Sequence, residues 1–145
     1  MSTRIKLYIS QRPDRDDPLV VVTRLICRVT FCGERGELGP ERYGILDTGA
    51  PVSLIPKRMW QGYPVLKLKD ATVRGIIDRP ECALEVIDGV IGTILTDGES
   101  TSEPLTIRAH LAHTDDIPLL LGFSGLLDRA DVHFSVNRSE AYLEI

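Results

Sequence analysis

One acid that follows an apolar run limits the possible folds of this chain more than any other feature. It lies in residues 44–53, GILDTGAPVS, which contain Asp47-Thr48-Gly49. Ile45 and Leu46 predict the end of a buried strand, which would deliver the Asp47 carboxylate at the strand's exit. Gly49 permits an unusual backbone angle, and its amide can approach the Asp47 oxygens. The segment therefore predicts a sheet that holds a carboxylate at a strand end.

The same triplet has a simpler interpretation as a turn. Asp and Gly are common turn formers, and a match of three residues arises easily by chance. The surroundings favour the strand interpretation, because a turn needs neither a buried strand before it nor a second apolar run ending at Pro56. A small β-barrel with a coincidental Asp-Thr-Gly turn stays an alternative.

A second apolar block lies nearer the C-terminal end. Residues 117–122, IPLLLG, predict a strand closed by glycine, and residues 123–129, FSGLLDR, predict a short helix. The two blocks together resemble the retropepsin-like aspartic proteases, bacterial members more than retroviral ones. In that family a D-T-G-A motif, here Asp47 to Ala50, ends one strand, and a later apolar-apolar-Gly strand, here Leu120, Leu121 and Gly122, runs into a helix. The resemblance extends over residues 42–145, although only these two blocks are specific.

The resemblance implies an all-β fold, the retropepsin-like closed β-barrel (acid protease fold) with one short helix near the C-terminus. It implies an aspartic endopeptidase that uses Asp47, Thr48 and Gly49 on a peptide or protein substrate, with no cofactor and no metal. This chemistry needs two carboxylates that share one proton, because two like charges in contact cannot both ionise. The triplet occurs once in the chain, so the second acid is expected from another copy in a homodimer.

A flap, the β-hairpin that closes over a bound peptide, is also implied between the two blocks. By order along the chain the candidate is residues 72–80. The substrate-binding residues would be Gly75, Ile76 and Ile77, together with Ala50. Gly75 could supply the bend that closure requires, although retroviral flaps hold more glycine. An ordinary hairpin or strand end remains an alternative.

Two positions depart together from the retroviral pattern. Retroviral members place an acid directly after D-T-G-A and an arginine directly after the later glycine, and these charges pair beside the active site. The corresponding residues here are Pro51 and Phe123. Loss of one partner would leave an unpaired charge in a partly buried place, whereas loss of both leaves an apolar contact. We therefore expect substrate contacts and subunit packing that differ from those of the retroviral enzymes.

Turn residues divide the chain into short β-like runs. We expect strands at residues 4–10, 19–31, 42–46, 65–68, 72–77, 83–87, 90–95 and 105–112, one helical turn at 56–60 and a short helix at 125–129. This spacing favours a closed or sandwiched all-β domain. The terminal segments 4–10 and 141–145 could form an interdigitated sheet between subunits, or another interface could replace it.

Length and composition limit the functions that this chain can have. With 145 residues, a single domain spanning 1–145 is expected, too short for the two-lobed pepsin-like form. A net charge of −4 and a pI near 5.4 argue against a nucleic-acid partner, which requires a basic face. No apolar run is long enough for a signal peptide or a membrane span, so we expect no membrane partner and a cytoplasmic location.

Other reactive side chains carry weaker signals. His110 and His113, with acids at 115 and 116, could ligate zinc, but strand geometry would place the two imidazoles on opposite faces. Ser53 and Ser124 lie in no nucleophile motif. The three cysteines, at 27, 32 and 82, have no paired spacing and are expected to be reduced.

Fold alone does not separate an enzyme from a binding module. The alternative function is a non-catalytic peptide- or protein-binding dimer with the same fold. The acid-hydroxyl-glycine triplet favours the enzyme, whereas the glycine-poor flap candidate leaves the binding module open.

Overall fold

The computed structural model describes residues 2–73 and 83–145. Within these residues the chain forms eleven strands, one short α-helix and one 3₁₀ turn. The strands are β1 (Arg4–Lys6), β2 (Tyr8–Pro13), β3 (Val21–Phe31), β4 (Arg42–Leu46), β5 (Ser53–Ile55), β6 (Val65–Val73), β7 (Leu84–Thr96), β8 (Leu105–Ala112), β9 (Leu120–Leu121), β10 (Asp131–Ser135) and β11 (Glu140–Glu144). Helix α1 is Lys57–Trp60, and the 3₁₀ turn is Leu127–Arg129. The chain is therefore mostly β-sheet, as the spacing of its turn residues predicts.

Eight of the strands form one sheet in the order β2-β3-β4-β9-β5-β8-β7-β6. Residues 28–31 of β3 also pair with residues 93–96 of β7, so β3, β4, β9, β5, β8 and β7 form a continuous circuit of paired strands. Strands β2 and β6 are attached outside this circuit as two arms. The largest fully buried side chains of the core are Phe31, Ile5, Ile55, Ile91, Leu95, Ile107, Leu111, Leu119, Leu121, Leu126, Leu143 and Val29.

Strand β9 is only two residues long, but it joins the two sequence blocks. It pairs in parallel with β4, with Leu120 opposite Ile45 and Leu121 opposite Leu46. Its other side pairs with β5. The close approach of β9 to β4 requires glycine at position 44, because a Cβ there would lie 2.7 Å from Cγ of Leu121. The ends of β4 and β9 therefore lie side by side.

Strand β7 is longer than its sequence predicts. The Asp88-Gly89 dipeptide is typical of turns and predicts a break, yet β7 runs through it without interruption. Buried Asp88 accepts hydrogen bonds of 3.1 and 2.8 Å from the Arg108 guanidinium on β8. Gly89 faces strand β6 so closely that a Cβ would lie 2.9 Å from the carbonyl oxygen of Leu66. Contacts with both neighbouring strands thus override the local turn preference.

Strand β6 is likewise continuous where the sequence predicts two runs. It spans Val65–Val73, and its register with β7 shifts between Lys67 and Lys69. Such a β-bulge accommodates the extra residue without ending the strand. The remainder of the second predicted run, residues 74–77, lies outside the described residues.

The N-terminal run divides between two sheets. Residues 4–10 are predicted as one strand, but β1 pairs with β11 whereas β2 pairs with β3. Buried Leu7 lies at the change of partner, and its N–H donates a 2.9 Å hydrogen bond to the carbonyl of Ala141. Strands β1, β11 and β10 form a second sheet in that order. The two ends of the chain thus pair within one molecule.

Both predicted helical segments are present, although the second is a 3₁₀ turn over Leu127–Arg129 and shorter than the expected 125–129. Helix α1 is held by the indole Nε1 of Trp60, which donates a 2.8 Å hydrogen bond to the carbonyl of Ala112. Among residues 2–73 and 83–145, no helix has the length and apolar character needed to cross a bilayer.

Candidate active site

Asp47 is the first residue beyond β4. Its backbone N–H donates a 2.9 Å hydrogen bond to the carbonyl of Leu121, which extends the parallel β4–β9 pairing by one residue. The Asp47 residue is half-buried. The ladder therefore positions the backbone that carries the acid. The sheet brings together the two motifs, which lie about 70 residues apart in the sequence.

The Asp47 carboxylate is oriented by its own loop. Its Oδ1 accepts a 2.9 Å hydrogen bond from the N–H of Gly49, as the sequence predicts. The N–H of Ala50 donates to the Asp47 carbonyl at 3.2 Å and closes a turn. Thr48 and Gly49 are exposed and Ala50 is half-buried. The loop thus leaves Thr48 and Gly49 exposed beside the half-buried Asp47.

The backbone angle of Gly49 differs from the prediction. In the part of the chain that the structure describes, positive φ values at glycine occur at Gly36, Gly62, Gly98 and Gly125. A Cβ at position 49 would lie 3.3 Å from Oδ1 of Asp47, a tight contact that a small shift of the carboxylate would have to relieve. A side chain would compete with the carboxylate for the place beside the amide.

Three hydrogen bonds fasten the loop after Asp47 to the second motif. They run from Gly122 N–H to Ser53 Oγ at 3.0 Å, from Phe123 N–H to Ala50 O at 3.0 Å, and from Ser124 N–H to Pro51 O at 2.9 Å. Ser53 is fully buried and its hydroxyl oxygen accepts from Gly122, so it is a structural residue and not a nucleophile. The sequence does not reveal this structural role of Ser53, because a single serine gives no indication of its hydrogen-bond partner.

A cavity of about 390 Å³ lies beside the Asp47 loop. It is lined by Thr48, Gly49, Ala50, Pro51, Phe123, Ser124 and Asp128. Pro51 and Phe123, which replace the charged pair of the retroviral pattern, line it together, and Phe123 is 39% exposed. Asp128, a surface acid without an assigned role in the sequence interpretation, also reaches this cavity. Its Oδ1 accepts a 3.1 Å hydrogen bond from the Gly125 N–H.

The predicted flap residues Gly75, Ile76 and Ile77 lie outside the described residues. The strands on either side of them are described: β6 and β7 pair antiparallel up to Val73 opposite Leu84. Residues 74–82 therefore follow β6 and precede β7 in the chain.

The histidines of the zinc hypothesis lie in separate environments. His110 is half-buried opposite Asp88, and burial lowers its pKa because it disfavours the charged imidazolium, although the Asp88 charge acts in the opposite direction. His113 is exposed and packs edge-on against Trp60, with ring centroids 6.4 Å apart. In the two described ranges, no three His, Cys, Asp or Glu side chains come close enough to hold a metal ion.

Cys27 packs in the core as a small apolar side chain. Burial raises the pKa of its thiol to about 12, since the thiolate cannot be hydrated there. This cysteine is therefore protonated and unreactive at physiological pH.

No protein-family model matches the chain, and no curated protein matches it in sequence. Among solved structures, the chain is similar to the crystal structure of a retropepsin-like aspartic protease from Rickettsia conorii. The TM-score is 0.51 at 17% sequence identity, and the match covers 99% of this chain and 92% of that chain. The chain therefore has the fold of the retropepsin-like aspartic proteases.

Proposed function

We propose that this chain is an aspartic endopeptidase that acts as a homodimer, with one Asp47 from each subunit. The observation that carries the proposal is the acid-hydroxyl-glycine loop at the junction of β4 and β9, within a retropepsin-like fold. The hydrogen bond from Gly49 orients one carboxylate oxygen, and the half-buried position leaves the group accessible to a reactant.

Two copies are required by the chemistry. Hydrolysis of an amide by carboxylates needs one group that accepts a proton from water and another that donates a hydrogen bond to the carbonyl. Two Asp47 carboxylates in contact share a single proton, because both cannot ionise at that separation. The exposed Thr48 hydroxyl is suited to a hydrogen bond across the pair, which would hold the two loops together.

The proposed reaction is a single addition and elimination on the scissile amide. The ionised Asp47 removes a proton from a water molecule held between the two acids, and the water oxygen forms a bond to the carbonyl carbon. The protonated Asp47 stabilises the oxygen of the tetrahedral intermediate. The amide nitrogen then takes a proton from the dyad, and the C–N bond breaks to release an amine and a carboxylic acid.

The substrate is proposed to be an extended peptide or protein segment between the dyad and the flap. Ala50 would contact it from the loop, and Gly75, Ile76 and Ile77 from the flap, an assignment that remains a prediction from chain order. The closed β-barrel belongs to the same proposal, and the pairing of β3 with β7 supports it. A single domain over 1–145 and a cytoplasmic location remain predictions.

The first experiment is a peptide-library digest at mildly acidic and neutral pH, with Asp47→Asn as the matched variant. Asn keeps an oxygen to accept the Gly49 hydrogen bond but cannot exchange protons, so we expect cleavage to be lost and the fold retained. Equal cleavage by the variant would contradict the proposal. Peptide binding without cleavage by the wild type would support the alternative, a non-catalytic binding dimer.

A mixing experiment tests whether the dyad is shared. If the chain forms exchanging dimers, equal amounts of wild type and Asp47→Asn should leave about one quarter of the pairs fully wild type. Activity per wild-type subunit should therefore fall by about half. An activity per wild-type subunit that does not change on mixing would show that each chain works alone.

A further inference from the structure

No described strand pairs with the β10 edge of the second sheet, and the hydrogen-bonding groups of this edge can be assigned. Thr3 and Ile145 exchange two backbone hydrogen bonds of 2.8 and 3.0 Å, and Leu7 donates to Ala141. Hydrogen-bonded pairs alternate along an antiparallel ladder, so residues 141, 143 and 145 direct their N–H and C=O groups toward β1. Residues 140, 142 and 144 therefore bond to β10 on the other side.

This alternation fixes which groups of β10 are free. Residues 140, 142 and 144 lie opposite Ser135, His133 and Asp131, which thus use their backbone groups on β11. Val132 and Phe134 direct their N–H and C=O groups away from the sheet. Among the described residues, no strand pairs with this side of β10.

The opposite edge of the same sheet is closed. The N–H of Lys6, which points outward from β1, donates a 2.9 Å hydrogen bond to Oδ2 of Asp97. The Asp97 carboxylate also accepts from the N–H groups of Glu99 and Ser100, at 2.8 and 2.7 Å. The Asp97 side chain thus covers the β1 edge, whereas no described side chain covers the β10 edge in this way.

Strand β10 carries few of the devices that protect sheet edges. Natural edges are protected by charged side chains, especially lysine, by proline or by a bulge, and the carboxylate of β10 is that of Asp131 at its first position. Strand β6 has Lys67, Lys69 and a register shift, and β2 ends in Pro13. The sequence of β10 is Asp-Val-His-Phe-Ser, with no lysine, proline or register shift. Phe134 lies on the face that continues the core, opposite Ala141, yet it is 64% exposed.

The open edge begins close to the candidate active site. Asp128 lines the cavity together with Thr48, Gly49 and Ala50. Asp131, the first residue of β10, follows three residues later, so its Cα lies within about 11 Å of that of Asp128. A second copy that brings its Asp47 close to the Asp47 loop of the first copy therefore also approaches the start of β10.

We propose that β10 pairs antiparallel with β10 of a second copy of this chain, centred on His133, to form a continuous six-stranded sheet across the dimer. The inference rests on the homodimer proposed above and names its interface. In this register Val132 and Phe134, the two residues with free backbone groups, face Phe134 and Val132 of the partner subunit. Two such pairs make four backbone hydrogen bonds, and each places a β-branched side chain against an aromatic one.

In this register His133 lies opposite His133 of the partner subunit. In a pair that is not hydrogen-bonded, the two Cα atoms lie about 4.5 Å apart, on the polar face where His133 stacks on Tyr142 at 4.8 Å. A permanently charged side chain at this position would then meet an identical charge. We expect His133→Glu and His133→Lys each to raise the dimer dissociation constant roughly tenfold, and an equimolar mixture of the two to restore it. Sedimentation at several concentrations measures this, with His133→Gln as the uncharged control.

A cross-linking experiment covers the case in which a charged variant does not fold. His133→Cys should form an intermolecular disulfide under mild oxidation, because the expected Cα separation suits that bond. Ser135→Cys is the control, since it would face Asp131 of the partner subunit, and wild type controls for the native cysteines. Dimerisation unaffected by charge at 133, or equal cross-linking at 133 and 135, would overturn the interface.

The outcomes separate this inference from the proposed function. A dimer that depends on position 133 but cleaves no peptide would retain the interface and reject the endopeptidase. A shared Asp47 dyad that tolerates both charged variants would retain the endopeptidase and reject the interface. A wild-type chain that stays monomeric at every concentration would reject both.

Discussion

The backbone N–H of Gly122 donates a 3.0 Å hydrogen bond to Oγ of Ser53, across the junction of β5 and β9. Ser53 is fully buried, so water cannot replace this acceptor. The bond connects the loop that carries Asp47 to the second sequence motif, and its loss should affect both stability and the geometry of the site.

Ser53→Ala should lower the free energy of unfolding by about 1–3 kcal/mol, because it leaves the buried N–H of Gly122 without a partner. Chemical denaturation measures the change. Ser124→Ala, on the same loop cluster but only half-buried and with no side-chain hydrogen bond in the described residues, should change stability by less than about 0.5 kcal/mol. Equal effects of the two substitutions would contradict the assignment.

Gly122→Ala should destabilise the protein by about 1–3 kcal/mol and reduce cleavage. The added Cβ would lie 2.5 Å from the carbonyl oxygen of Val52 and 2.7 Å from that of Ala50. These are backbone atoms, so the Asp47 loop must move to admit it. Gly92→Ala is the control, since its nearest neighbour would be Cβ of Cys32 at 3.4 Å, an ordinary contact. Thermal unfolding and peptide cleavage that are unchanged in Gly122→Ala would count against a rigid junction.

Asp97→Asn should remove part of the acid sensitivity of stability. Burial of Asp97 disfavours its charge, but hydrogen bonds from the N–H groups of Lys6, Ser100 and Glu99 outweigh this and hold its pKa below the usual 3.8. A carboxyl group with a lowered pKa in the folded state stabilises the protein above its unfolded pKa. That contribution is lost as the pH falls through the folded value.

We therefore expect Asp97→Asn to cost about 1–2 kcal/mol at pH 7, and the difference from wild type to shrink below about pH 4. Unfolding curves between pH 2 and pH 7 test this expectation. Asp70→Asn is the control, because Asp70 is exposed and accepts no hydrogen bond from a described residue. A constant difference across this range would show that Asp97 contributes by packing and not by charge.

Ala50→Ser should shift the pH profile of cleavage toward acid. Residue 50 lies one turn from Asp47, with its N–H bonded to the Asp47 carbonyl. A serine hydroxyl there can donate a hydrogen bond to the carboxylate and favour its charged form. The pH dependence of kcat/KM measures the shift, and Ala50→Cys, similar in size with a weaker donor, should move it less. Superimposable profiles for wild type and Ala50→Ser would contradict this prediction.

The sequence by itself predicts the strand exit at Asp47, because apolar periodicity and the Asp-Thr-Gly triplet are local signals. The helical turn at α1, the strands β4 and β8, and the hydrogen bond from Gly49 to Asp47 follow from the same kind of information. Predictions fail where a distant neighbour acts. Asp88 and Gly89 stay in a strand because Arg108 and the backbone of Leu66 face them.

Residues 4–10 divide at Leu7 for a similar reason, since two different sheets offer partners there. The same dependence on distant neighbours applies to the function. Local sequence suffices to identify Asp47 and the Asp-Thr-Gly triplet to which it belongs. Only the tertiary structure shows the hydrogen bond from Gly122 to Ser53 and the cover of the β1 edge by Asp97, because these contacts join residues that are far apart in sequence. It alone also shows that no described strand pairs with the outer side of β10.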